Sequence, residues 1–468
     1  MIYKQKLNVK KWFLLISYII FLSQQITKGQ QVINPQNITT QLNDFLQMAN
    51  RFYQFNGSAI ISYRGTILLN KGYGFKNVAG SEINDSGTIF QIGSVTKEFT
   101  STVILLLKEQ GRLSLQDKLS DYFPGYPNSD KITIRQLLTH TSGIYNYTSD
   151  LEREDSAVIC HPVSKDRIVQ QFINQPLDFT PGTKYNYSNS GYFLLGMIIE
   201  KVTGKPWEEN VREQILTPLG MQHTGFNFNG LKSADKAQGY QFFNEEHQQP
   251  DISWDSTVSY AAGSVYSTTK DMLTWARAVT DKKILSADCW KEALTANQHG
   301  YGYGWEIDTV YGHKAIGHNG GIPGFSSQML LIPDQDLEII VLTNVHENSQ
   351  VTPISRILAA ITMGKPYSGF QPKDYVSIQP EALAQYVGSY RQDKDHVVNV
   401  LIKNGKLYIE AISNRLPLTR LYPDKSGGFF VANITLEIEL RFIKNKTGKV
   451  MNLIAIQNGK EYEWKKFR

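Results

Sequence analysis

Two pairs of short apolar runs, far apart along 468 residues, constrain this chain more than any other feature. The first pair, Ser58–Tyr63 and Thr66–Asn70, is joined by Arg64-Gly65. The second, Ser327–Ile332 and Leu337–Leu342, is joined by Pro333-Asp334-Gln335-Asp336, and a third short run, Ala315–Gly317, precedes it. Strand-length runs split by turn residues read as β-hairpins. The stretch between the pairs changes period. From Ser94 to about Gly225 it is mainly helical, with Thr96–Gln110, Ile134–Leu138, Asp166–Asn174 and Ser190–Thr203 as helices and Gly111, Gly143, Gly182 and Gly204 as their ends and loops. The economical fold brings both hairpins into one antiparallel sheet and leaves the helical middle as a second lobe, with a cleft between them suited to a site. Ile38–Tyr53 has helical spacing, with Ile38, Leu42, Phe45, Leu46, Ala49 and Phe52 on one face, and a helix over Val351–Met363 would pack on the sheet.

The remainder of the chain has a different character. Gly364 to Pro380 carries Pro366, Gly369, Pro372 and Pro380, a linker composition. Beyond it, Tyr386–Arg391, Val397–Ile402, Leu407–Ile409, Phe429–Ala432, Leu436–Phe442, Met451–Ile456 and Tyr462–Phe467 read as short strands, with hairpin turns at Asn404-Gly405 and Asn458-Gly459. The expected division is therefore an α+β body over 31–363, a linker over 364–379 and a small all-β module of barrel or sandwich type over 380–468.

Residues 1–29 read as an export signal. Lys4, Lys6, Lys10 and Lys11 precede an apolar stretch from Trp12 to Leu22, too short for the roughly 20 residues a membrane span needs, and Thr27 and Gly29 are small enough to flank cleavage before Gln30. An exported chain, periplasmic or secreted, is the expectation; membrane association would require that this segment stay uncleaved. With Lys28, these lysines account for the whole net charge of +5, so the body is neutral and lacks the electrostatic footprint of a nucleic-acid binder. A 41% apolar, 19% charged composition excludes disorder and coiled coil. Cys160 and Cys289 lack metal-site spacing, the histidines are scattered and no HExxH occurs, so no metal site is expected.

The chemistry centres on Gly93-Ser94-Val95-Thr96-Lys97, which opens an apolar helix. Ser94 and Lys97, three residues apart, share a helical face. Ser94 at the helix start stands beside unpaired backbone N–H groups, and Lys97 among apolar neighbours would favour its neutral form and accept the serine proton. Ser233/Lys236 and Ser267/Lys270 share the spacing, but Ser267 reads as a helix N-cap with Asp271 in the first turn. Tyr187-Ser188-Asn189 begins the Ser190–Thr203 helix, with Ser188 or Asn189 as its cap; Tyr126-Pro127-Asn128 repeats the Tyr-x-Asn spacing. His318 stands at the end of the Ala315–Gly317 strand, followed by Asn319, Gly320 and Gly321, the two glycines permitting close approach of a substrate backbone. No GxSxG and no alternating βαβ pattern are present, which excludes an α/β-hydrolase.

In this order, Ser94-Val95-Thr96-Lys97, Tyr187-Ser188-Asn189 and His318-Asn319-Gly320 resemble the three motifs of the serine β-lactamase and penicillin-binding protein superfamily. They look most like its class C-related branch of esterases, D-aminopeptidases and DD-carboxypeptidases. Leu137-Leu138-Thr139-His140-Thr141-Ser142-Gly143, Ala262-Gly263-Ser264-Val265-Tyr266-Ser267-Thr268 and His318 through Phe325 resemble the same branch, and the likeness covers about residues 40–362. The C-terminal module resembles the β-domain often appended to these hydrolases. The resemblance implies a β-lactamase/transpeptidase-like fold and a cofactor-free serine hydrolase. Its substrates would be small molecules or peptides, peptidoglycan-derived ones included, and it would act through an acyl-enzyme on an ester, an amide or a D-amino-acid peptide. A class C-type β-lactamase and a non-turnover penicillin-binding or cell-wall-binding protein are the alternatives. It further implies that Ser94 attacks, that Lys97 and Tyr187 move protons with Lys97 lowering the tyrosine's pKa, and that His318 supports the tyrosine and the substrate side. Asn189 would bind the acyl-side amide or carbonyl, Gly320 and Gly321 would contact the substrate, and the N–H groups of Ser94 and Gly321 would form the oxyanion hole. One motif departs from the pattern. Many relatives carry Lys-Thr-Gly where this chain has His318-Asn319-Gly320, which removes a permanent positive charge and weakens carboxylate recognition, and with it β-lactam hydrolysis. A literal Lys446-Thr447-Gly448 falls between two strand runs of the C-terminal module and reads as a hairpin turn, and His223-Thr224-Gly225 as a loop.

Overall fold

The computed structural model describes residues 35–151, 159–245, 248–347, 349–367, 374–411, 416–457 and 459–468. Residues 1–29, expected to be an export signal, together with Gly369 and Pro372 of the linker and Asn458, lie outside these residues.

In chain order, helix α1 (Pro35–Arg51) precedes the hairpin β1 (Gly57–Tyr63) and β2 (Thr66–Tyr73), then the short strands β3 (Phe75–Asn77), β4 (Glu82–Ile83) and β5 (Phe90–Gln91). The helical lobe follows with α2 (Thr96–Glu109), α3 (Ile134–Leu138) and α4 (Asn189–Thr203). Next come the hairpin β6 (Tyr240–Phe243) and β7 (Gln248–Pro250), α5 (Ser256–Gly263), β8 (Tyr266–Ser267), α6 (Thr269–Thr280) and α7 (Ala287–Ala293). Strands β9 (Glu306–Val310), β10 (His313–Ile322), β11 (Phe325–Ile332) and β12 (Leu337–Thr343) lead into α8 (Val351–Met363). Eight strands complete the chain: β13 (Gly388–Arg391), β14 (Val397–Lys403), β15 (Lys406–Ala411), β16 (Leu416–Pro423), β17 (Phe429–Val431), β18 (Ile438–Lys444), β19 (Val450–Gln457) and β20 (Lys460–Lys466).

The two distant hairpins do join. The main sheet is antiparallel in the order β2-β1-β12-β11-β10-β9, and β1 meets β12 in register from Gly57↔Thr343 to Tyr63↔Leu337. Arg64 and Gly65 both take positive φ, as a two-residue hairpin loop requires. β1, β11 and β12 are buried along their whole length because both sheet faces are covered. Side chains alternate between the faces. Ala59, Ile61, Ile339 and Val341 pack with α1 and α8, whereas Ile60, Ile340 and Leu342 pack with Phe99, Leu273 and the helical lobe.

Strands β13–β20 close into a barrel, the fold class expected, with Tyr390, Val400, Leu407, Leu421, Phe429, Leu440 and Leu453 inside. The sequence reading supplied seven of its strands. It passed over β16, whose Pro417 and Pro423 argue against a strand. The barrel docks on the body: the ring of Phe52, just past α1, lies 4.9 Å from Tyr422, 5.8 Å from Phe430 and 5.9 Å from Tyr375. Lys446-Thr447-Gly448 is a turn between β18 and β19, with the Asn445 side chain accepting from the Thr447 and Lys449 N–H groups. Among the described residues no helix is long and apolar enough to cross a membrane. Cys160 and Cys289 are both free.

Three local readings are corrected. β10 runs to Ile322, so His318 lies within a strand rather than at its end; the polar, glycine-rich sequence hid a segment whose partner, β11, keeps it extended. The cap of α6 is Thr268, whose hydroxyl accepts from the Asp271 N–H, while Ser267 sits on β8 and bonds Thr224. Ser188 occupies the N-cap position of α4 but its hydroxyl makes no capping bond.

Candidate active site

The site forms where β5 runs into α2. A single 3-10 turn, Gly93–Val95, connects them and carries half-buried Ser94. Gly93 has φ +51°, and a Cβ there would stand 2.8 Å from the Gly321 nitrogen. A Cβ on Gly320 would stand 2.0 Å from the Ile92 carbonyl oxygen. These two glycines let β10 press its backbone onto the serine turn. Gly320 thus serves packing between protein segments rather than substrate approach, and only Gly321 is open.

Strand pairing then aims the Gly321 amide. Pro323 and Gly324 make a two-residue loop, so Ile322↔Phe325 is a hydrogen-bonded pair. By alternation, Asn319 and Gly321 turn their N–H and C=O groups away from β11. On that side β9 reaches only as far as Gly317. The Gly321 N–H therefore projects from an open edge, with its nitrogen close to Gly93, the residue before Ser94.

Lys97 is fully buried. Its Nζ lies 2.9 Å from Ser94 Oγ, 2.7 Å from Asn189 Oδ1 and 2.8 Å from the Ala262 carbonyl oxygen. Burial drives its pKa well below the ordinary lysine value, and no carboxylate touches it to oppose that. A neutral amine has two hydrogens and one lone pair. Asn189 Oδ1 and the Ala262 carbonyl can only accept, so they take both hydrogens, and the lone pair is left for the Ser94 O–H. The Asn189 amide nitrogen donates to Thr148 Oγ1 at 3.0 Å, and its backbone N–H to Asn146 Oδ1 at 2.9 Å, which holds the residue in place. Tyr260, held at φ 40° and ψ −134°, bends α5 so that successive carbonyls face α2: Ala261 accepts from Thr100 and Ala262 from Lys97.

Tyr187 stands over this pair, its ring centroid 4.8 Å from Lys97 Nζ and its hydroxyl buried without a formed hydrogen bond. The expectation that Lys97 would lower its pKa is reversed. Burial pushes the phenol up from its ordinary value, and the nearby Ser94 hydroxyl offsets only part of the rise.

His318 is buried too, and it does not bond Tyr187. Its Nδ1 lies 2.5 Å from the Asn319 carbonyl, an acceptor, so Nδ1 carries the proton and Nε2 accepts from the Tyr301 hydroxyl at 2.9 Å. Burial first, and Lys97 second, lower its pKa to about 3. It is a neutral strut behind Tyr301 rather than a cation or a direct support of Tyr187, whose ring centroid is 6.3 Å away.

His140 was not singled out as a site residue. It sits at φ 55°, its Nδ1 accepts from the Ser188 N–H at 3.1 Å, and its ring lies 4.2 Å from Tyr187 and 4.7 Å from Tyr301. Its burial keeps it neutral, with Lys97 and His318 lowering its pKa further. Asn146, Thr148 and Tyr301 were missed as well. Glu306 on β9, held by burial at a pKa of about 7, acts electrostatically on Tyr187 and Tyr301. Of the rival matches, Tyr126 packs against Phe172 in the helical core, and Lys236 bonds the Asn229 carbonyl.

Three comparisons place this arrangement. The family described as Beta-lactamase matches residues 48–362. "Penicillin-binding protein 4*" of Bacillus subtilis (strain 168) is 28% identical over 454 residues, covering 92% of this chain and 98% of that protein. Among solved structures, the octameric penicillin-binding protein homologue from Pyrococcus abyssi superposes with a TM-score of 0.64 at 24% identity, over 91% of this chain and 99% of that one. The D-stereospecific amidohydrolase from a Streptomyces species gives 0.60 at 26% identity, over 71% and 99%.

Proposed function

The chain belongs to the beta-lactamase family of serine hydrolases, and from that membership we propose an exported enzyme that cleaves ester or amide bonds, D-amino-acid peptides and amides included, through an acyl-enzyme on Ser94. The observation that carries this reading is the fully buried Lys97, whose Nζ stands 2.9 Å from Ser94 Oγ with the Asn189 side-chain oxygen and the Ala262 carbonyl as its other partners.

In acylation, Ser94 passes its proton to Lys97 Nζ as Oγ bonds to the substrate carbonyl carbon. The displaced π pair moves onto the carbonyl oxygen, which the Ser94 and Gly321 N–H groups hold. Collapse of that intermediate breaks the bond to the leaving group, which takes a proton from Tyr187. The phenol suits a donor's role: it is uncharged at neutral pH and its hydroxyl lies beside that of Ser94. Lys97 then returns its proton to Tyr187. In deacylation a water gives its proton to the same pair, bonds to the acyl carbon and expels Ser94 Oγ, which is reprotonated.

Substrate class follows from charge. A neutral His318 in the third motif offers no cation for a carboxylate, which favours ester or amide cleavage over β-lactam hydrolysis. The likeness to a D-stereospecific amidohydrolase supports the same choice. The test is intact mass spectrometry after mixing with a fluorophosphonate, with the labelled peptide located, followed by turnover of p-nitrophenyl esters and of D-Ala-D-Ala peptides. One adduct, on Ser94, and loss of turnover in Ser94→Ala are expected. Labelling elsewhere, or equal turnover by Ser94→Ala, would overturn the reading.

A further inference from the structure

The C-terminal barrel reaches the catalytic groove through one hairpin, β6–β7. At the hairpin's far end Glu245 accepts from Lys406 of β15 and from Arg420 of β16. The contact is partly desolvated: Glu245 is 30% exposed and Arg420 16%, and the Arg420 guanidinium lies 4.4 Å from the centre of the Tyr422 ring. At the near end the Tyr240 carbonyl accepts from the His346 N–H at 3.0 Å, the Gln241 carbonyl accepts from the Glu347 N–H at 2.9 Å, and the Tyr240 N–H donates to Asn344 at 3.0 Å. Just past β7, the carboxylate of Asp251 accepts from the Gly324 N–H in the β10–β11 turn. The backbones of Gly239 and Gly324 touch there, since a Cβ on either would stand within 2.9 Å of the other's Cα.

What the hairpin holds is the wall of the groove. His346 Nε2 lies 3.8 Å from where a Cβ of Gly321 would stand, and its Nδ1 is 4.0 Å from Asp251. Gly321, the Gly324 turn, Asp251 and His346 form one side of the open edge of β10; His346 and Gly324 hydrogen-bond Tyr240 of β6, Asp251 directly follows β7, and Gly321 lies three residues before Gly324 in the same chain segment.

We propose that Glu245 is a positioning residue: gripped by the barrel, it fixes the β6–β7 hairpin and so sets His346 and the Gly321–Gly324 turn against an extended acyl group. This rests on Gly321 serving as an oxyanion donor, as proposed above. An ordinary surface pair adds little beyond stability. This one ties a barrel that carries none of the proposed catalytic residues to the substrate wall, and small displacements there degrade reaction geometry.

The test uses the full-length chain and two esters with one leaving group, p-nitrophenyl acetate and the p-nitrophenyl ester of benzyloxycarbonylglycine. Glu245→Gln should lose about tenfold in kcat/KM on the longer ester, mainly through KM, and under about twofold on the acetate. Fluorophosphonate labelling of Ser94 should be unchanged. Arg420→Met should do the same, and the double variant should be no worse than either single one, because both act through one contact. Glu213→Gln, which breaks the exposed pair with Lys205, should alter neither ester. Equal losses on both esters, additive losses, or a lowered melting temperature with an unchanged ester ratio would overturn the positioning role. Failure of the parent chain to label at Ser94 would instead overturn the hydrolase reading beneath it.

Discussion

Lys97 opposes folding in the state its chemistry requires. Burial without an anion lowers the Lys97 pKa well below its ordinary value in the folded chain, whereas the unfolded chain protonates it up to about pH 10.4. Unfolding therefore takes up a proton across the window from the depressed folded pKa to about 10.4, so this residue's contribution to stability rises with pH there. The parent should gain stability on alkalinisation by up to about 1.4 kcal/mol per pH unit relative to Lys97→Met, which cannot titrate. The same substitution should lower kcat by about 10²- to 10⁴-fold, the usual worth of a general base. Chemical denaturation at stepped pH reads the slope; parallel curves for the two proteins would refute a neutral lysine. At this scale the sequence was informative where chemistry is local. Ser94 and Lys97 lie one helical turn apart, but Ser233/Lys236 and Ser267/Lys270 share that spacing, and only the accompanying motifs singled the pair out. His140, Tyr301, Asn146 and Thr148 could not be read in this way, because their roles come from rings and amides brought together by separate elements. The direction of the Tyr187 shift was misjudged for a related reason: spacing gives the neighbour but not the burial, and burial dominates.

At the scale of elements, two glycines of similar appearance carry different duties. Gly93 combines a positive φ with a backbone approach that leaves no space for a methyl group, whereas a Cβ on Gly321 would meet only the His346 ring at van der Waals distance. Gly93→Ala should cost about 2 kcal/mol from the left-handed conformation alone. By pushing the Gly321 amide away from Ser94, it should also slow fluorophosphonate labelling at least about tenfold. Gly321→Ala should change stability by less than about 0.5 kcal/mol. Urea denaturation of the two variants checks the contrast, and equal stability losses would show that the approach of β10 to the serine turn is not what Gly93 serves. The same strand shows where sequence patterning stops. β1, β11, β12 and α8 were legible from apolar runs between turn residues. The second half of β10, His318–Ile322, carries polar side chains and glycines because it faces a cleft, and its extension depends on pairing with β11. Functional segments escape periodicity for this reason: their side chains answer to the site rather than to the core.

Across the whole molecule, the barrel and the body share a core. Phe52, on the segment that leaves α1, is packed by Tyr422 and Phe430 of the barrel and belongs to the same apolar cluster as Ile61, Val341 and Leu358 of the sheet and α8. The barrel also has a separate interior around Tyr390 and Leu440, so it has apolar content of its own to retain when contact is lost. Aromatic packing of this extent couples two folding units more strongly than the exposed ion pairs of Asp374 with Arg51 and Lys425 beside it. The expected consequence is one cooperative unfolding transition for the parent chain. Phe52→Ala removes the central ring of the junction at a cost of about 3–5 kcal/mol. Because that loss falls on the junction rather than on either interior, differential scanning calorimetry should resolve two transitions in the variant, one for each unit. A single transition merely shifted to lower temperature would mean that the barrel cannot stand without the body, and two transitions already present in the parent would mean that the shared core does not couple them.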